Sequence, residues 1–99
     1  MTLESGGNHL KLSMLPIYIY KMYYVYILKC NDGDFYKGCT TDLNDRYNRH
    51  LRGWVPATAD KLPIVLIFYC AFVNKYKAYD FEKYLKSGSG IAFMQKRFI

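Results

Sequence analysis

Acidic residues are in short supply. Eight Asp and Glu stand against fourteen Lys and Arg in 99 residues, a formal net charge of +6. That imbalance makes a polyanion a natural partner, through phosphate neutralisation and counterion release, the alternative being a soluble basic surface. Cysteine is equally sparse: Cys30, Cys39 and Cys70 form no C-x-x-C pair and are odd in number. Neither a disulfide framework nor a standard zinc site is indicated, and a reducing cytoplasm is the expected compartment. No run suits a bilayer either. The most apolar window, "MLPIYIYKMYYVYIL" at 14–28, is interrupted by Lys21 and too short to span easily. The start "MTLESGGNH" lacks the basic region and small-residue cleavage site of a signal peptide, so no targeting segment and no membrane partner is expected.

Internal repeats and long low-complexity runs are absent as well. A composition of 52% hydrophobic and 22% charged residues is that of a globular chain, not a disordered one. The length suffices for one core, with about two-thirds of the unfolded surface buried on folding. Residues 1–22 read as an extension of uncertain structure: 1–13 carry no clear periodicity, and "PIYIY" at 16–20 is a candidate extended segment. The domain proper is read over residues 23–99.

What is abundant is tyrosine, and "YYVYILKCNDGDFYKG" at 23–38 holds four. Aromatic and aliphatic residues on both sides of "NDG" predict a β-hairpin. A two-residue loop would turn Tyr26 and Tyr36 to opposite faces. A three-residue loop, Asn31-Asp32-Gly33, with Gly33 left-handed, instead places Tyr26 opposite Gly38 and Leu28 opposite Tyr36, so both phenols share a face. "TTDLNDRYNRHLRG" predicts a helix of about three turns, with Thr41 as N-cap, Asp42 in the first turn and Gly53 as the stop. The near-continuous apolar run "LPIVLIFYCAF" at 62–72 predicts a strand buried on both faces. "KYKAYDFEKYLKS" at 75–87 predicts a second helix, "GSG" a break, and Ile91 to Phe98 a last helical turn or two. The fold expected is α+β: a small three-stranded antiparallel sheet flanked by helices, in the order β-β-α-β-α-α.

Spacing then selects candidate chemistry. Leu43, Tyr47 and Leu51 make the apolar stripe of the first helix, with Arg46 and His50 four residues apart at its border. Glu82 borders the stripe of Ala78, Phe81 and Leu85 on the second helix. A carboxylate there takes a metal or an Arg as partner, or bends outward to Lys83 or Lys86.

"YVY" at 24–26, "YKG" at 36–38, "TDLNDRYNRH" and "AYDFEKYLKSGSG", in that order and spacing, resemble the small single-domain GIY-YIG nucleases over about residues 23–98. Tyr24 stands where the family name has Gly, and Lys37 occupies the middle of the second motif. The resemblance implies metal-dependent hydrolysis of a nucleic-acid phosphodiester, DNA being the expected substrate and Mg²⁺ or Mn²⁺ the cofactor. By the same resemblance Tyr26 is the general base, Arg46 the stabiliser of the phosphate charge and Glu82 the metal ligand. Tyr36 and His50 orient water or phosphate. Lys29, Lys37, Arg49 and Arg52 are candidate backbone contacts. Two other readings stand beside it: a nucleic-acid-binding module of the same fold with little or no turnover, and a zinc-held interaction domain using the three cysteines and His50. Against the latter, the three-residue loop turns Cys30 and Cys39 to opposite faces.

Overall fold

The computed structural model describes residues 21–97. Its elements are β1 (Tyr23–Lys29), β2 (Phe35–Thr40), α1 (Leu43–Leu51), β3 (Val65–Phe72), α2 (Lys75–Leu85) and α3 (Gly88–Arg97). This is the expected β-β-α-β-α-α order. The three strands form one antiparallel sheet, β2-β1-β3, with β1 central. The expected extension over residues 1–22 lies, but for Lys21 and Met22, outside the described residues.

The hairpin adopts the three-residue register, pairing Tyr26 with Gly38 and Leu28 with Tyr36. Gly33 has φ +89°, a conformation costly for any residue with a Cβ. Its N–H donates to the Cys30 carbonyl at 3.0 Å, and Cys30 N–H donates to Asp34 at 2.8 Å. Lys61 ties the turn to the loop before β3, its ammonium lying 3.0 Å from the Asp34 carboxylate.

Alternation along β1 divides the core into two layers. Val25 and Ile27 pack under α2 and α3 with Ala78, Leu85 and Met94. Tyr26 and Leu28 face the other way, with Cys30, Ile64, Tyr36, Leu43 and Tyr47, the last two from α1. All four central β1 side chains are essentially inaccessible. Each aliphatic one contributes roughly 1.5–3 kcal/mol by burial. Cys30 and Cys39 fall in different layers, as the register requires, and all three cysteines are free thiols.

Two boundaries and one strand differ from expectation. The N-cap of α1 is Asp42, whose carboxylate accepts from Asp45 N–H at 3.0 Å, while the Thr41 position lies outside the helix. Gly53, with φ +74°, does terminate it. The break between the helices falls at Lys86 and Ser87, and "GSG" opens α3, because Ser87 caps it: its Oγ accepts from Gly90 N–H at 3.1 Å. A methyl group on Gly90 would run into the backbone of Tyr84 and Leu85, so the close turn from α2 to α3 needs glycine there. β3 is an edge strand, with Val65 and Tyr69 more than half exposed. Its unbroken apolar run reflects aromatic and aliphatic residues on an outer edge; the strand buried on both faces is β1.

Candidate active site

Helix α1 lies on the Tyr26 face of the sheet, and its polar border meets the two tyrosines there. The Tyr26 hydroxyl is 2.9 Å from His50 Nε2. The Tyr36 and His50 rings meet edge-on with centroids 5.0 Å apart, and Tyr26 and Tyr36 lie 6.2 Å apart. Gly38 is why the phenol fits: a methyl group built there would stand against the Tyr26 hydroxyl and ring. The place of a Gly38 side chain is taken by Tyr26 itself.

His50 is fully buried, and its second nitrogen is engaged as well, with Nδ1 2.7 Å from Thr58 Oγ1. Thr58 is equally buried and sits in the turn after α1, its N–H donating to the Val55 carbonyl at 3.0 Å. Both ring nitrogens being held, the imidazole is locked in orientation. Thr58 escaped the reading of the sequence. A threonine eight residues after a histidine, in an irregular loop, has no periodicity to mark it.

Burial sets the protonation states. It raises the Tyr26 phenol well above the usual tyrosine value near 10, with Tyr36 adding to the rise and the Arg46 guanidinium working against it. Burial also lowers the His50 pKa, helped by the Arg46 charge. At neutral pH the pair is therefore a neutral phenol hydrogen-bonded to a neutral imidazole. Arg46 is half-buried beside them, and its Nε is a buried donor with no acceptor. An unmet donor of this kind is a cost that native structures rarely carry without a reason.

Tyr26, Tyr36, Arg46 and His50 thus converge. Glu82 is placed differently. It belongs to α2, which packs on the opposite layer, and its carboxylate pairs with Lys86 at 3.0 Å, one turn along the same helix. The ion-pair partner of the carboxylate is therefore Lys86, not an Arg. It nevertheless stands near the rim of the sheet, since its charge helps raise the Cys39 thiol pKa, where burial is the larger cause. Cys39 follows Gly38 on edge strand β2, so Glu82 and the Tyr26 hydroxyl flank one short stretch of that edge from its two faces.

The candidate phosphate contacts also separate. Lys29 and Lys37 share the parity of Ile27 and belong to the α2 face. Arg49 is engaged with Asp45 at 2.8 Å. Arg52 caps the end of α1 on the site side, its guanidinium 5.0 Å from the centre of the Trp54 ring. Among the described residues no group of three or more His, Cys, Asp or Glu could hold a metal. No helix among them is long and apolar enough to cross a membrane.

Comparison with known proteins shows the family. The model of the GIY-YIG catalytic domain matches residues 22–91. The chain belongs to the GIY-YIG family. A UPF0213 protein of Lacticaseibacillus paracasei is 40% identical over 67 residues, covering 67% of this chain and 75% of that protein. A UPF0213 protein of Clostridium perfringens is 39% identical over 66 residues, covering 66% and 71%. The solution NMR structure of the UPF0213 protein BH0048 from Bacillus halodurans is similar with a TM-score of 0.50 and 33% identity, over 76% of this chain and 83% of that one. This GIY-YIG domain therefore has a nuclease-type fold.

Proposed function

We propose that this GIY-YIG domain is an endonuclease that hydrolyses a DNA phosphodiester. The observation that carries the reading is the buried hydrogen bond between the Tyr26 hydroxyl and His50 Nε2, with Arg46 beside it. A phenol with a raised pKa is a poor base by itself. Paired with a neutral imidazole it need never become a free phenolate: it takes a proton from the attacking water while passing its own to Nε2. The working tautomer carries its proton on Nδ1 and donates it to Thr58.

The step balances in charge as well as protons. Hydroxide character forms at the water as imidazolium forms at His50; as the new P–O bond forms, the P–O bond to the leaving sugar oxygen breaks, that oxygen takes a proton from a solvent water, and His50 returns its proton to solvent through Tyr26. Imidazolium beside Arg46 is unfavourable in the free domain. A bound phosphodiester supplies the compensating anion, and its oxygens are acceptors suited to the Arg46 guanidinium. Tyr36, edge-on to His50, closes the site on the β2 side and helps to orient water or phosphate.

For the divalent ion, Mg²⁺ or Mn²⁺, the described residues offer Glu82 as the ligand. One carboxylate at a sheet rim suits a hard ion that keeps most of its water and is completed by phosphate oxygens. When bound, such an ion polarises the phosphodiester. Lys86 must yield the carboxylate for this to happen.

Single-turnover cleavage of plasmid and oligonucleotide DNA with Mg²⁺ or Mn²⁺ is the test. Tyr26→Phe and Arg46→Ala are expected to fold and to cleave at least ~10²-fold more slowly than the native chain, Tyr26→Phe with a lower unfolding midpoint because His50 Nε2 loses its partner. Glu82→Gln is expected to lose metal-dependent cleavage but keep salt-sensitive DNA binding. Wild-type rates in the Tyr26 or Arg46 variant would overturn that residue's role. The Glu82–Lys86 pair favours one other reading, a DNA-binding module of the same fold; binding with no metal-dependent cleavage by the native chain would establish it instead.

A further inference from the structure

We propose that the substrate segment at this site is an unpaired strand, whose bases stack on two aromatic stations at the two ends of helix α1. The inference deepens the nuclease reading by naming the substrate class, and it rests on that reading only for the presence of a nucleic acid.

The first station follows the C-terminus of α1. Trp54 is 59% exposed, and the Arg52 guanidinium stands over its ring at 5.0 Å. The indole is not on a loose loop: Trp54 N–H donates to the Arg49 carbonyl at 2.9 Å, and Gly53 N–H donates to the His50 carbonyl at 3.0 Å. The same short segment continues through buried Val55 to Thr58, which holds His50. An indole face and a guanidinium are thereby presented to solvent from the segment that positions the catalytic histidine.

The second station lies at the N-terminus of α1. A cleft of about 350 Å³ opens there between the helix and the sheet, walled by Tyr24, Tyr47, Tyr69 and Leu66 and edged by Asp42 and Asn44. Tyr24 and Tyr69 stand at a 57° tilt with centroids 6.4 Å apart. Tyr24 precedes Tyr26 by two residues on β1 and shares its face, so the wall of the cleft begins about 7 Å along the strand from Tyr26. Flat apolar walls with a carboxylate and a carboxamide at the rim match a nucleobase, which has π-faces and a polar edge.

The geometry ties the two together. A nine-residue helix is about 13 Å long, a span that a few nucleotides of an unstacked strand cover, with Arg46 and His50 between the stations. In a duplex, neighbouring pairs cover both faces of each internal base. Protein rings can stack only on bases that are unpaired, terminal or flipped. The other exposed tyrosines among the described residues, Tyr76, Tyr79 and Tyr84, lack this setting: they are on α2, which packs on the layer away from Tyr26.

Trp54 is the single tryptophan of the chain, so its fluorescence reports one position. The native full-length chain is titrated in EDTA with a single-stranded oligodeoxynucleotide, its RNA counterpart and the matching duplex. Expected are quenching and tighter binding by single strands than by duplex, the RNA arm showing which sugar is preferred. By anisotropy, Trp54→Ala and Tyr69→Ala should each weaken single-strand binding at least about fivefold, while Tyr76→Ala and duplex binding stay unchanged. Equal affinity for duplex and single strand, or no quenching, overturns the proposal even if the chain cleaves duplex DNA. Tyr69→Ala binding as tightly as the native chain overturns the two-station arrangement. Single-strand binding with quenching but no cleavage in Mg²⁺ or Mn²⁺ upholds the stations and rejects the nuclease reading.

Discussion

Thr58→Val removes one hydroxyl from the interior and nothing else of comparable size. Valine has nearly the shape of threonine, so no cavity opens and the local packing against Val55 and His50 is kept. What changes is that His50 Nδ1, fully buried and 2.7 Å from Thr58 Oγ1, loses its partner. Whichever nitrogen carries the proton, a buried polar atom is left unmet, at a cost of about 1–3 kcal/mol. In a domain of this length a loss of about 2 kcal/mol lowers Tm by roughly 8–16 °C. Urea and thermal unfolding of the native, Thr58→Val and Thr58→Ser chains measure it directly. Serine keeps the oxygen and should recover most of the bond's share while giving up a methyl group. The imidazole, freed at one nitrogen, should also hold the Tyr26 hydroxyl less well, so cleavage by Thr58→Val falls and Thr58→Ser recovers it. If Thr58→Val unfolds at the native midpoint, the threonine is not what holds His50, and the proton path through Tyr26 loses its anchor.

Gly38→Ala places a methyl group where the Tyr26 hydroxyl now lies; overpacking of about 1–3 kcal/mol and loss of the Tyr26–His50 contact should appear together as a lower Tm and slower cleavage. Stability should also be bounded on both sides in pH. His50 has a lowered pKa in the folded chain, so its contribution is full above about 6.5 and is lost as pH falls from there through the lower folded value. Tyr26 has a raised pKa, so its contribution is full below about 10 and is lost as pH rises from there toward the folded value. Unfolding midpoints from pH 5 to 11 should show both limbs, with Tyr26→Phe flattening the alkaline one.

Most of the fold was legible because it rests on periodic or local signals. The hairpin was legible but two loop lengths were open; the structure takes the three-residue one, and that register puts Tyr26 and Tyr36 on one face and separates Cys30 from Cys39. Arg46 and His50 were legible for the same reason: i, i+4 spacing beside an apolar stripe fixes their direction as soon as the stripe finds the sheet. Where the reading slipped, side chains competed for backbone groups. Asp42 displaced Thr41 as the cap, and Ser87 turned a Gly-Ser-Gly break into a helix start. The strand at 65–72 was misjudged because an apolar run does not say which strand lies in the middle; that depends on pairing order.

Glu82 shows where residue spacing stops being informative about a site. Its place beside the stripe of Ala78, Phe81 and Leu85 correctly brings it to the core border of α2. Nothing in that periodicity says which face of the sheet α2 covers, because the crossover from β3 decides it. The carboxylate consequently meets Lys86, the i+4 partner that ordinary helix electrostatics supplies. An exposed i, i+4 pair is worth only a few tenths of a kcal/mol, so it is weak enough to be exchanged when a more highly charged partner arrives. A divalent ion with a phosphate at the β2 edge would be such a partner. Lys86→Ala, which frees the Glu82 carboxylate without touching the Tyr26 face, should therefore lower the metal concentration that cleavage requires; an unchanged metal dependence would show that Lys86 does not compete for the carboxylate.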